Sequence, residues 1–487
     1  MTKDISEKKH EDFVLLNEIV DSADQINLIG LMDHGGRAGS NFVQCLFDRH
    51  TEVISCPLVH YVYSYWIDIF DDRDEITPNE AREFVATRSY FRFIFNSPDN
   101  KNTAFIRKIG GSDKIEFDFD RYHELVDTYL NSREMFSRRN FLSVLYVIYA
   151  YVFGKDLKKL KYFLINDAVS IRGENMFTGF SVKTMDMMRF DYPDSWIVFL
   201  VRDPRAQFAS TRHQLVNEYG NNYSVSMNNW WVRIVDLFYD RITMDYGPAH
   251  LISYMYQCAS AKAAIERCMS EDKRTIILRN EDVNLCFLPK MESLAKIIGF
   301  SVAPEWRKTN YVPSMMGAPW HGTGAYSDRY QTQTNGPLQN DSINQVKKAI
   351  GPNSHVTERW KKRMPKHEIE LSERLFHDEL KYLGYTIFYD KDSRSDFVTL
   401  MRTAWFPASG ELPLPKWIFS GWKEGPYFFL NRVFYTISLP LFYLLSRIKL
   451  FRYVLHDKFF KNVIRQNTED GDIFFKSVDN IEQKEIA

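Results

Sequence analysis

The chain carries no excess of positive charge. Its 487 residues hold 62 Lys and Arg against 63 Asp and Glu, a formal net of −1. A protein whose main partner is a nucleic acid normally shows a basic surplus, so nucleic acid is excluded as the main partner and any anion site has to be local. Cysteine is scarce: Cys45, Cys56, Cys258, Cys268 and Cys286 are odd in number and never spaced as CxxC. That pattern supports neither a zinc knuckle nor a secreted disulfide framework. No group of His, Cys, Asp or Glu has convincing metal-ligand spacing, so the expectation is a site without metal. Long apolar runs are missing too. The amino terminus, MTKDISEKKHEDF, is charged throughout, unlike a secretory signal. The longest charge-free apolar run near the other end, Val433 to Ser446, is short for a bilayer span and contains Pro440. The expected setting is reducing and cytoplasmic.

What is present is core-forming material. Apolar residues make up 45% of the chain and charged residues 26%, enough to bury a large interior. At roughly 150 residues per domain, the length fits about three modules, or one large α/β domain with insertions and a tail. Residues 1–25 read as a polar lead-in with one short amphipathic helix. INLIGL at 26–31 suits a buried parallel strand. Asp33-His34-Gly35-Gly36-Arg37-Ala38-Gly39-Ser40 follows as a glycine-rich turn, then the helix-like NFVQCLFDRH and a second strand, EVISCP. This is a βαβ unit. Residues 60–160, rich in aromatics and charges at helical spacing, form a helical insertion. Further strands are expected at Tyr162–Ile165, Trp196–Val201 and Thr275–Leu278, with helices starting at Asp203-Pro204 and around Met291–Ile298. Strands alternating with helices predict a central parallel sheet. Residues 312–340 are loop-like, and a last helix from about Pro365 is expected to end at Gly384 as its C′ glycine.

Two constellations carry chemistry. In the first, Gly35, Gly36 and Gly39 let backbone approach an anion, while Arg37 and the Ser40 hydroxyl add charge and a donor. It is not a Walker loop, because the Gly-Lys-[Ser/Thr] ending is missing. Its bland alternative is a βα turn with an exposed arginine. The second is Val201-Arg202-Asp203-Pro204-Arg205-Ala206 running on to Ser210. Arg202 leaves the end of a buried strand, where ligands of open α/β sheets gather, and Ser210 lies two helical turns beyond the cap. Its bland alternative is a capped helix whose arginine pairs with a surface carboxylate.

Together these motifs resemble those of the sulfotransferase family, whose donor is 3′-phosphoadenosine 5′-phosphosulfate (PAPS). In that family a loop of the type [Arg/Lys]-Ser-Gly-[Ser/Thr]-[Ser/Thr] holds the 5′-phosphosulfate; here it reads Arg37-Ala38-Gly39-Ser40-Asn41-Phe42. The family's 3′-phosphate element is present without a gap from Arg202 to Ser210. QCLFDRHTEVISCPLVH, Lys183-Thr184, His321-Gly322-Thr323-Gly324, and NSHVTERWKKRMP running to LGY at 383–385 resemble the Golgi-type carbohydrate sulfotransferases. The likeness spans about residues 26–388 and implies one P-loop-containing α/β domain. It departs from the pattern at Ala38 and Asn41, which replace hydroxyl residues, and at Cys56, where the carbohydrate group often carries a glutamate.

The resemblance implies transfer of a sulfuryl group to a hydroxyl, of a carbohydrate or glycolipid. Arg37 and Ser40 would neutralise the bridging oxygen, with Lys183 as a second cation; His321 to Gly324 would join the donor site. His60, just past the second strand, is the candidate base, with Asp33, His34 and Asp68 as rivals. Aromatics in 60–100 and 223–240 either line an acceptor cleft or, more often for such residues, fill the core. A P-loop kinase-like enzyme and a degenerate, non-catalytic nucleotide-binding or membrane-scaffold protein are the competing readings.

Residues 389–487 form a carboxy-terminal extension of different composition. Between Arg432 and Arg465 seven cations face one acid, Asp457, a local +6. Two readings are open. The segment lies on a membrane surface as a peripheral element, or it packs back on the core as a helical hairpin.

Overall fold

The computed structural model describes residues 2–33, 38–56, 62–87, 115–168, 180–210, parts of 262–270, 274–320, nearly all of 351–389 and scattered positions between 419 and 437. Its centre is a five-stranded, all-parallel sheet. The strands are β1 (Asn27–Asp33), β2 (Val53–Ser55), β5 (Tyr162–Ala168), β6 (Trp196–Val201) and β7 (Thr275–Arg279), in the order β2-β5-β1-β6-β7. β1 is buried from Leu28 to Asp33, and β6 from Ile197 to Val201. Such continuous apolar runs are what a strand covered on both faces requires. Helices supply the cover, so the α/β class expected from the sequence is the one observed.

Connections set the position of the crevice. From β1 the chain passes through α2 (Ser40–Leu46) to β2 on one side; from β5 it passes through α7 (Phe180–Asp191) to β6 on the other. The strand order reverses about β1. Open α/β sheets bind ligands outside the carboxyl ends of strands at such a reversal.

Several elements differ from the sequence expectation. The lead-in is one long helix, α1 (Thr2–Gln25), rather than a short one. Leu16, Ile19 and Ala23 recur at one-turn spacing and bury against α6 (Arg138–Val152), a stripe that the charged first half of the helix hides from a composition reading. β5 runs three residues beyond Ile165. Its last positions include polar but fully buried Asn166 and Asp167, which find partners across the fold. Asp167 accepts hydrogen bonds from Tyr63 N at 2.8 Å and Ser64 Oγ at 2.7 Å, fixing the start of α3 (Val62–Phe70). The expected last helix is described over Lys366–Leu375 and His377–Tyr382, and Gly384 follows it in the left-handed region, with φ 73° and Tyr385 N donating to Leu380 O.

Within the insertion, α3, α4 (Pro78–Thr87), α5 (Phe119–Leu130) and α6 pack together, and a short antiparallel pair of β3 (Glu75–Ile76) with β4 (Phe136–Ser137) brackets α4 and α5. Its described aromatics belong to the core: Tyr63, Trp66, Phe84 and Phe141 are all buried. Arg138 sits beneath them and donates twice to Asp191, both at 2.7 Å, while Tyr63 Oη donates to the same carboxylate at 2.9 Å. The pairing joins α3, α6 and α7.

The turn that feeds β2 is held by His50. Its Nδ1 accepts from Glu52 N and Val53 N at 3.1 Å, so the proton lies on Nε2, which meets Ser301 O at 2.8 Å. Phe47, Phe300 and Trp306 surround the ring. Burial drives its pKa from 6.5 to about 4. The group binds a proton more readily unfolded than folded, so its contribution is whole above about pH 6.5 and lost as pH falls through about 4. Wild-type stability, from denaturant titrations at pH 7 and pH 4, is expected to fall by about 2–3 kcal/mol more than that of His50→Gln. Identical falls would place the ring's titration elsewhere.

Candidate functional site

Three strand ends converge at the reversal. Register pairs Asp33 with Leu200 and Val201 with Arg279, so the residues that leave β6 and β7 next, Arg202 and Asn280, emerge side by side beyond Asp33. Gly39 comes back over them. Its backbone is left-handed, with φ 103°, and a Cβ there would lie 2.1 Å from Asn280 Nδ2. Only glycine allows the turn both its conformation and its approach to that amide. Asn280 is buried and its carbonyl and side-chain oxygen accept from Asn284 Nδ2, which keeps its amide group directed at the loop.

Of the loop residues expected to hold an anion, Ala38 is fully buried in the core and faces away from the crevice contacts, in keeping with its loss of a hydroxyl. Ser40 begins α2, and its hydroxyl donates to Asp33 Oδ2 at 2.7 Å. In this state its hydrogen points at a carboxylate, and it has to turn to serve an incoming anion. Asn41 Oδ1 is buried without a hydrogen-bond partner among the described residues, and Phe42 packs between the two halves of the core. Arg37, His34, His60 and His321 to Gly324 lie outside the described residues, as do the side chains of Asp68 and Lys183; the backbone of Lys183 is in the first turn of α7.

The second motif is a strand end followed by a capped helix, α8 (204–210), as its sequence implies. Asp203 Oδ1 accepts from Arg205 N at 2.9 Å. Arg202 and Ser210 are both buried, with 6% and 4% of their surfaces exposed. The next arginine, Arg205, is fully buried: it donates to both Asp203 oxygens, to Glu373 and to Thr386 O, and lies under the Trp360 ring at 4.5 Å. Each guanidinium nitrogen of Arg205 is committed to the fold. Arg205→Ala is expected to cost about 3–5 kcal/mol of stability, because it strands Asp203 and Glu373 in the interior; equilibrium unfolding checks it.

Sequence reasoning missed two groups here, Asn280 and Glu281. The rule that selected Arg202, a polar residue directly after a buried strand of an open sheet, applies equally to them. Glu281 Oε1 accepts from Asp203 N at 3.1 Å. Loss of hydration pushes its carboxyl up to about 7; the Arg202 guanidinium opposes that rise and the Asp203 carboxylate adds to it. Cys56 is buried, and burial pushes its thiol well up, so it stays a neutral thiol.

Because Glu281 faces the cation of the crevice, its ionisation competes with an anionic ligand. Below about pH 7 the carboxyl is neutral; above it the carboxylate offsets part of the Arg202 charge. Sulfate, whose own charge is constant over this range, is expected to bind several-fold more tightly at pH 6 than at pH 8 by calorimetric titration. Glu281→Gln should remove most of the difference. Equal affinities at both pH values in the wild type would show that Glu281 does not compete.

No family model matches the chain, and neither does any curated protein. Among solved structures it is similar to the sulfotransferase domain from the Synechococcus PCC 7002 olefin synthase, with 11% identity and a TM-score of 0.38 over 75% of this chain and 97% of that one.

Proposed function

We propose that the chain is a PAPS-dependent sulfotransferase acting on a hydroxyl of a carbohydrate or glycolipid. The observation that carries this reading is the meeting of Gly39 and Ser40 with Arg202 and Ser210's helix at the strand-order reversal, the two motifs that the sequence pattern assigns to opposite ends of one nucleotide. β1 and β6 are neighbouring parallel strands, so both motifs leave the same edge of the sheet, the arrangement that one nucleotide spanning them would need.

In this reading Arg202 and Ser210 grip the 3′-phosphate, and the loop from Arg37 to Phe42 takes the 5′-phosphosulfate. The acceptor oxygen attacks sulfur in line; the new S–O bond forms as the bond from sulfur to the bridging phosphate oxygen breaks. The acceptor's proton passes to a base, and the products are a sulfate ester and 3′,5′-phosphoadenosine. Such a loose transition state is stabilised mainly by positioning and by cations at the leaving oxygen. Arg37 and Lys183 supply charge there, and Ser40 adds a donor once it turns from Asp33. In this reading His60 is the base, with Asp33, His34 and Asp68 as its rivals; Cys56, a neutral buried thiol, is not among them. The substitutions at Ala38 and Asn41 also motivate a second reading, a non-catalytic nucleotide binder built on the same crevice.

Binding and turnover separate these. Arg202→Ala and Ser210→Ala are each expected to weaken 3′,5′-phosphoadenosine by about ten- to a hundredfold while leaving 5′-AMP nearly unchanged, since a charge-assisted phosphate contact is worth about 1.5–3 kcal/mol. Equal losses for both ligands would reduce the second motif to a helix start. With labelled PAPS and a panel of glycan and glycolipid acceptors, wild-type protein should transfer sulfate, and Arg37→Ala and His60→Gln should lower turnover more than donor affinity. Tight binding with no transfer would establish the non-catalytic reading.

A further inference from the structure

We propose that Asp167 is a positioning residue for the acceptor hydroxyl: from the buried end of β5 it sets the start of α3 at the acceptor side of the crevice. Under the sulfotransferase reading, on which this rests, the nucleotide runs from Arg202, beyond β6, to the loop beyond β1. In-line displacement brings the attacking oxygen to sulfur opposite the leaving oxygen, so the acceptor enters beyond the 5′ end of the nucleotide. β6 and β5 flank β1 on opposite sides. With the 3′-phosphate on the β6 side, the acceptor's side is that of β5. There Asp167 pairs in register with Met32, one residue before the Asp33 that accepts from Ser40. Asp167 therefore stands at the rim, one strand away from the donor loop.

Its carboxylate has no exposed surface. Oδ2 accepts from Tyr63 N at 2.8 Å and from Ser64 N at 3.3 Å, and Oδ1 accepts from Ser64 Oγ at 2.7 Å. A helix start ordinarily takes such bonds from its own cap, two or three positions back; α3 takes them from a strand more than 100 residues away. A negative group against first-turn N–H groups also suits the positive end of the helix. The residue before it holds the other end of the same connection: Asn166 Nδ2 donates to Gln44 Oε1 at 3.3 Å, and Gln44 Nε2 donates to Cys56 O at 3.1 Å. Two consecutive residues of β5 thus fix the chain just before and just after residues 57–61. His60 belongs to that connection and Asp68 to α3, so either base is carried by chain that β5 anchors. The donor side has anchors of its own, Gly39 against Asn280 and Arg205 among its carboxylates. A change at Asp167 reaches the acceptor's geometry and leaves the nucleotide's.

Two measurements on the full-length protein test this: kcat/KM for the acceptor that wild type sulfates best, at saturating PAPS, and calorimetric binding of 3′,5′-phosphoadenosine. Asp167→Ala is expected to lower the acceptor's kcat/KM by about ten- to a hundredfold, the cost of a small misplacement, with nucleotide affinity nearly unchanged. Asp167→Asn should restore most of the loss, because its amide oxygen accepts from both backbone N–H groups and its NH2 donates to Ser64 Oγ. Ser64→Ala, which removes the 2.7 Å bond alone, should show the same split at several-fold, and it carries the test if Asp167→Ala does not fold. Parallel losses of nucleotide affinity and acceptor kcat/KM, or an unchanged acceptor kcat/KM, would reduce Asp167 to a buried cap of the fold. Wild-type protein that binds 3′,5′-phosphoadenosine yet sulfates no acceptor overturns the enzymatic reading itself, and the role of Asp167 with it.

Discussion

The sheet has to end, and each of its five strands has a buried polar residue at or beside its end, Ser55 on β2 and four more along the crevice. Asp33, Asp167, Arg202 and Asn280 each take a hydrogen-bonding or charged group to the rim of a closely packed interior, where an uncompensated charge is costly. The fold answers each one separately. Ser40 donates to one oxygen of Asp33, the start of α3 satisfies Asp167, Asn284 anchors Asn280, and Glu281 lies within electrostatic reach of Arg202. The helices that cover the sheet begin where they do because they carry these partners. A ligand entering the rim therefore exchanges partners already in place rather than filling a bare pocket.

That exchange separates two kinds of arginine in one short motif. Arg205 is surrounded by carboxylates, a carbonyl and an aromatic ring, and its role is complete without any ligand. Arg202 faces a carboxyl that is half-protonated near neutrality, a weaker and reversible match. The chain thus holds the motif rigidly through Arg205, while the charge balance around Arg202 shifts with the ionisation of Glu281. The same division appears in the glycine loop. Ala38 is packed into the core, while Gly39 and Ser40, one and two residues later, form the surface that faces the crevice.

Much of this could be read from sequence where local chemistry is unambiguous. β1 and β6 are uninterrupted apolar runs, and Asp203-Pro204 announces a helix start, so the parallel sheet and the exit of Arg202 follow directly. The extra length of β5 could not be read, because Asn166 and Asp167 are polar and their burial depends on Gln44 and α3, more than 100 residues away in sequence. The length of α1 was hidden because its apolar stripe is confined to its second half. Asn280 and Glu281 were missed for a different reason: nothing marks them locally, and they matter only because β7 lies beside β6. The order of strands is a tertiary fact, and no residue near Asn280 encodes it.

Arg205 has a further consequence for how the protein is made. Its partners Glu373 and Thr386 lie 168 and 181 residues downstream. When β6 and the start of α8 leave the ribosome, the cation at the heart of the second motif is already present, but two of its acceptors have not been translated. The crevice beside Arg205 is therefore assembled late, after the sheet around it, and ribosome-bound chains that stop short of about residue 390 hold an unfinished motif with a charge in search of partners. The distal end of the described chain thus completes a motif laid down near its middle.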